Sequence, residues 1–189
     1  MNKITTIYYK LTGIFILVIL FNSNNLFGQK FTEYEVKSAY LFNFTKFVEW
    51  PASAFENSNS PYVIGIYKND GFGLVLNNTI SGRQVNGRNV IIKYFDKPQE
   101  INDCHILFFP KISKYELINV LKVLEKKPIL TVGNGIEDFC ETGGIINFSQ
   151  QYSRYRFEIN NDIALKAKIK ISSKLLVLAK IISEDEVKF

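Results

Sequence analysis

The chain has 189 residues, which suits one domain. Its 23 Lys+Arg and 18 Asp+Glu give a formal charge of +5, and 47% hydrophobic with 22% charged residues is the composition of a folded chain, not of a disordered tail or a collagen-like repeat. Two Cys and one His exclude a disulfide framework, a multi-Cys zinc module and any mechanism that needs two imidazoles.

Lys3 and Lys10 precede an uncharged run, LTGIFILVILF (11–21), and a polar stretch ends in Leu26-Phe27-Gly28. This order predicts a secretory signal peptide over residues 1–28, cleaved after Gly28, and a mature domain over 29–189. The apolar core is shorter than the about 20 residues a spanning helix needs. It holds no Cys, so a lipid anchor is unavailable there. Removing residues 1–28 lowers the formal charge from +5 to about +3, too little for the dense basic stripe that nucleic acid requires.

Thr32 with Glu35 reads as a capping box. Val36, Tyr40, Phe44 and Phe47/Val48 follow at helical spacing, with Leu41 and Phe42 outside the stripe, until Pro51 ends the helix. Residues 62–67 (YVIGIY) are apolar on both parities, the mark of a strand covered on both faces. Residues 70–73 form a turn into a short helix near Leu74–Leu76, and Gly82 and Gly87 bracket another turn region. Strands are expected at 90–95, 105–109, 128–132 and 144–148, and a helix at 113–125 with Ser113 as N-cap. Ile136–Cys140 is a helical turn or a loop. Residues 154–160 alternate strictly, which predicts an antiparallel or edge strand. A helix over 162–168 and a last helix over about 173–182, with Leu175, Leu176, Ala179 and Ile182 inward, complete the chain. Strands alternating with helices imply a three-layer α/β/α single domain with a mostly parallel sheet of about five to six strands, one edge strand antiparallel.

His105 has no second His to share a metal, so it reads as structural and no metal site is expected. Gly71-Phe72-Gly73 lies where phosphate loops lie but lacks the third Gly and the Lys-Ser/Thr, so it reads as a plain turn. Two strand spacings between Cys104 and Cys140 argue against a direct disulfide. No nucleophile motif is present, and no catalytic residue or cofactor is expected. Arg154 and Arg156 share the wet face of one strand and are candidates for an anionic ligand, the alternative being an ordinary solvated face paired with Glu158.

Taken in order, residues 34–51 (YEVKSAYLFNFTKFVEWP), 70–73, 81–83, 87–88, 104–108 (CHILF), 128–132 (PILTV), 143–146, 156–160 (RFEIN) and 171–179 (ISSKLLVLA) resemble the YfiR/HmsC-like family over essentially the whole mature chain. The resemblance implies a non-enzymatic periplasmic regulator that binds and restrains an inner-membrane signalling protein, of diguanylate cyclase or sensor-kinase type, and so acts on cyclic-di-GMP, exopolysaccharide and biofilm. It also implies self-association, and it makes Cys104 and Cys140 redox candidates. The first helix carries more rings than one buried stripe needs, so some of Tyr40, Phe42, Phe44, Phe47 and Trp50 are expected to contact a partner or a second copy, the alternative being that all are core. A different class of function is a periplasmic small-anion-binding protein that feeds a transporter or sensor.

Overall fold

A computed structural model describes residues 31–68, 70–151 and 154–183, and those from Glu33 onward form one compact unit. The expected signal peptide, residues 1–28, lies outside the described residues. The first helix, α1 (Glu33–Phe47), stops four residues before Pro51 and runs into β1 (Val48–Glu49). Then come β2 (Tyr62–Tyr67), α2 (Phe72–Ile80), β3 (Gln84–Val85) and β4 (Arg88–Phe95). They are followed by β5 (Ile106–Phe109), α3 (Lys114–Leu124) and β6 (Leu130–Asn134). The chain continues through β7 (Ile146–Gln151), β8 (Arg154–Ile159), α4 (Asn161–Lys166), β9 (Lys170–Ile171), α5 (Ser173–Leu176) and β10 (Lys180–Ile181).

The sheet order is β10-β8-β7-β6-β5-β2-β4-β3. From β7 to β4 every pairing is parallel, and β7–β8 and β4–β3 are antiparallel. The fold is therefore the expected α/β/α with a mostly parallel sheet. The extra strands are the two-residue β3 and β10. β3 exists because Asn86 and Gly87 both take positive φ (51° and 76°), the backbone of a two-residue hairpin turn. β1 and β9 form a separate antiparallel pair, Val48 opposite Ile171.

Alternate residues of each central strand feed two cores. Ile64, Ile66, Ile106, Phe108, Leu130, Val132, Ile146 and Phe148 pack beneath α1 and α2. Tyr67, Leu107, Phe109 and Phe139 pack beneath α3 through Leu117, Val120 and Leu124. As predicted, Ser113 caps α3 and its Oγ accepts from the Glu116 N–H at 3.3 Å. Gly65 and Gly133 give the second core its depth. A Cβ on Gly65 would lie 2.7 Å from Cys104 Sγ and from the Phe95 ring, and one on Gly133 2.8 Å from the Phe139 ring.

Two expectations need correction. The dry arc of α1 comprises Lys37, Ser38, Leu41, Phe42, Phe44 and Thr45, so Leu41 and Phe42 lie inside it while Phe47 turns outward at 36% exposure. The helix rests on the sheet and also flanks α2, where Tyr34 meets Phe72 edge-on at 5.1 Å, and two neighbours demand a wider arc than one stripe. The last helix stops at Leu176. The outer edge of β8 would otherwise leave backbone groups unpaired, and Lys180–Ile181 pairs with it in parallel instead. That pairing makes β10, not β8, the edge. It buries Ile182 completely and leaves Val177 and Leu178 in solvent.

Candidate functional site: the carboxyl edge of the sheet

The order β4-β2-β5-β6-β7 sends the chain to opposite faces of the sheet after β2 and after β5. It leaves β2 for α2 in the first layer and β5 for α3 in the second. At such a point the two connections diverge and a crevice opens beyond the carboxyl ends of the strands, where α/β folds place their ligands.

Lys68, with φ at 53°, directly follows β2 and pairs with Glu116 of α3 at 2.6 Å. The same carboxylate accepts from the Tyr67 hydroxyl at 3.0 Å. The Lys68 ammonium holds the Glu116 carboxyl below the usual carboxylate range. Burial first, and then the Glu116 contact, push Tyr67 up to about 12. On the other side, the Tyr34 hydroxyl donates to Asp70 Oδ2 at 2.8 Å, which raises the Tyr34 pKa, and Asp70 Oδ1 accepts from the Phe72 N–H at 3.2 Å.

Lys37 is the unexpected member. It is 5% exposed, and its ammonium bonds to the Glu33 carboxylate and to Asn134 Oδ1, with the Phe148 ring 5.7 Å away. Asn134 in turn donates to the Pro110 carbonyl at 3.1 Å, so one buried cation ties α1 to the ends of β5 and β6. Beside it, Pro110, Lys111, Ile112, Lys114, Asn134 and Gly135 line a hollow of about 310 Å³, and Lys114 meets Asp138 at 3.3 Å. Each cation with a resolved partner is thus matched by a carboxylate, and the edge is built as a set of electrostatic clasps. No imidazole or thiol stands among them. Among the described residues no cluster of three or more His, Cys, Asp or Glu could hold a metal ion, and no helix is long and apolar enough to cross a membrane.

His105, Trp50, the candidate arginines and the two cysteines lie elsewhere. His105 opens β5 at the amino edge, 4% exposed. Its Nδ1 accepts from the Val63 N–H at 3.1 Å, while Nε2 is buried without a partner. Phe55, Tyr62 and Trp50 surround the ring at 4.4, 5.5 and 6.0 Å, and Trp50 Nε1 donates to the His105 carbonyl at 3.1 Å. Trp50 therefore closes the core around His105. Phe44 is fully buried against Tyr40, Phe148 and Phe157, and Phe42 is covered by the cations of Lys46 and Arg83 at 4.6 and 5.3 Å. Burial withdraws Phe42 and Phe44 from any partner surface, and of the five rings Phe47 is the exposed one.

Arg156 is exposed on β8 opposite Ser149, and Arg154 stands in register with Gln151, its side chain outside the described part. Glu158, on the same strand, lies 3.5 Å from Lys180 of β10. Cys104 and Cys140 are free and buried in the second core. Burial pushes the Cys104 thiol up to about 12 and raises Cys140 as well, so neither forms thiolate near neutrality. Native protein should accordingly react with an aromatic disulfide reagent at least about a hundredfold more slowly than unfolded protein. A rapid native burst of one thiol would contradict this burial.

The clasped carboxyl edge and the two-sided apolar sheet define a doubly wound α/β domain. The chain belongs to the YfiR/HmsC-like family, and the match runs over residues 34–180, from the first turn of α1 to β10. No curated protein matches it. Among solved structures it is similar to a chain from Streptococcus pneumonia described as an ABC domain in complex with L-Trp, with a TM-score of 0.50 at 14% identity. That likeness covers 79% of this chain and 60% of the other, and it is a likeness of fold.

Proposed function

We propose that this protein is an exported regulator that docks on the periplasmic part of an inner-membrane signalling protein, of diguanylate cyclase or sensor-kinase type, and restrains it. The observation that carries this reading is membership of the YfiR/HmsC-like family across α1 to β10. The leader-like segment over residues 1–28 supports export. Restraint of a cyclase would lower cyclic-di-GMP and with it exopolysaccharide and biofilm.

The surface offered for docking is Phe47 with Val177 and Leu178, the latter two 80% and 66% exposed. The ends of α1 and β9 adjoin, because the Ser172 N–H donates to the Phe47 carbonyl at 2.8 Å, and α5 starts there. Large apolar side chains in solvent lose that exposure at an interface. Affinity capture from envelope membranes with the mature native protein should retain one signalling protein, and deleting the gene should raise cyclic-di-GMP. The variant Phe47→Ala/Val177→Ala/Leu178→Ala should fold but capture it at least about tenfold less. Undiminished capture by the variant discards this surface. Unchanged cyclic-di-GMP on deletion, with no signalling protein captured, discards the function.

A further inference from the structure

At the amino edge of the sheet, opposite the clasped edge, α3 and α4 end around a cleft of about 1030 Å³. Its floor is hydrocarbon: Leu121, Leu124, Ile129, Ile145, Ile163 and Ala167. The polar side chains in the floor are occupied by the protein itself. Thr131 Oγ1 accepts from the Ile145 N–H at 2.9 Å, and the Thr142 hydroxyl donates to the Asp138 carbonyl at 2.6 Å. The rim is the opposite in character. Lys122, Lys126, Lys127, Lys166 and Lys168 surround it, with Glu125 as its carboxylate. Among the described residues Lys122, Lys126 and Lys168 take no carboxylate partner.

Helix carboxyl termini attract cations, so a lysine or two here would be ordinary. Two features exceed that. Five lysines line one apolar floor, more than two helix ends need, with the Lys127 ammonium reaching the Ile101 carbonyl at 3.5 Å. Moreover, Lys126 and Lys168 hold φ at 66° and 60°, each just past the end of its helix, where glycine is the unstrained choice. Both helices thus end on a lysine in a conformation that disfavours any side chain, and both lysines line the same cleft.

We infer that this cleft is a binding site for a single-chain amphiphile with one anionic head, of which a fatty acid is the simplest form. The hydrocarbon fills the floor and displaces water from it. The carboxylate lies among the rim lysines, which act as point charges rather than as a shaped fork. The volume is at the upper end of the about 300–1,000 Å³ usual for small-ligand pockets, and so has room for an acyl chain. This site is independent of the regulatory reading, and each can fail without the other.

The probes are dodecanoate, octanoate and methyl dodecanoate, all below their micelle concentrations, titrated calorimetrically into the mature protein. Dodecanoate should bind one per chain. Octanoate, four methylenes shorter, should bind on the order of a hundredfold more weakly at roughly threefold per methylene. The uncharged ester should bind at least about tenfold more weakly than the acid. The double variant Lys126→Gly/Lys168→Gly removes two rim charges at positions where glycine relieves strain, so it should unfold at the same temperature or higher while binding dodecanoate about tenfold more weakly. Absence of saturable binding, an ester as tight as the acid, or full affinity in the double variant would overturn the site. Binding to anionic phospholipid vesicles with none to monomeric dodecanoate would overturn it too, and would assign the lysines to a membrane surface.

Discussion

Lowering the pH from about 7 to about 5 will remove on the order of 2 kcal/mol from the unfolding free energy, and the loss will approach about 3 kcal/mol below pH 4. One side chain accounts for it. His105 has its pKa pushed down from 6.5 to about 4 by burial above all, which outweighs an upward pull from the Ala54 carbonyl; the charges of Arg88 and Lys93 lower it further and Asp103 raises it slightly. The hydrogen bond from the Val63 N–H to Nδ1 acts in the same direction, because it needs a lone pair there. A proton on that nitrogen would face a donor inside an aromatic enclosure.

Above 6.5 both folded and unfolded states carry a neutral ring, and the stability is fully present. Below it the unfolded chain takes up a proton that the folded chain refuses, so stability falls until the folded pKa of about 4 is passed. Because the sequence has a single His, and carboxylates titrate mostly at about 4, the upper part of this window belongs to His105 alone. Urea unfolding at a series of pH values should show the slope, and His105→Asn should flatten it above about pH 5 while costing about 1–3 kcal/mol at neutral pH through the Val63 N–H. A native profile that is level over this range would refute the assignment.

Phe44→Ala should destabilise the fold by about 3–5 kcal/mol, a large share of the about 5–15 kcal/mol that holds a domain together. Phe44 is fully buried and touches three rings, stacking on Phe148 at 6.0 Å and meeting Phe157 edge-on at 6.0 Å and Tyr40 at 6.3 Å. Its loss leaves a cavity bounded by the sheet below and α1 above, neither of which can close in without breaking its own hydrogen bonds. Phe47→Ala, three residues along the same helix, should cost on the order of 1 kcal/mol, because the residue is 36% exposed and leaves no closed cavity. The contrast separates the two roles proposed for these rings, with core loss read from the urea midpoint and partner loss from membrane capture. Equal destabilisation by the two changes would mean that α1 is rotated from the arrangement described.

Much of the framework is legible along the chain. The runs YVIGIY and ILFF carry no polar parity, and each became a central strand with both faces buried. The strict alternation around Phe157 became the antiparallel strand, and Ser113 with Glu116 became the capped start of α3. Other elements depend on partners that local periodicity does not name. The two residues of β10 are a strand only because β8 has an open edge, and Lys37 looks like a solvated helix residue until Asn134 is brought to it from the end of β6. A stripe phased on Lys37, Leu41, Phe44 and Val48 was available in the sequence, but a lysine at its head argues against choosing it. The clasp of Tyr67, Lys68 and Glu116 needed the knowledge that β2 and β5 are neighbours whose chains leave on opposite faces.

By itself, the sequence determined the α/β alternation, the burial of the central strands, the leader-like start and the paucity of imidazoles and thiols, because composition and period state how dry each segment must be. Only the tertiary structure decided which residues meet at the sheet's two edges. Strand order gathers side chains from distant segments, and it turned the rings ahead of Trp50 mostly into core while placing five lysines around one apolar cleft. Local dryness is a property of a segment, whereas a site is a property of neighbours.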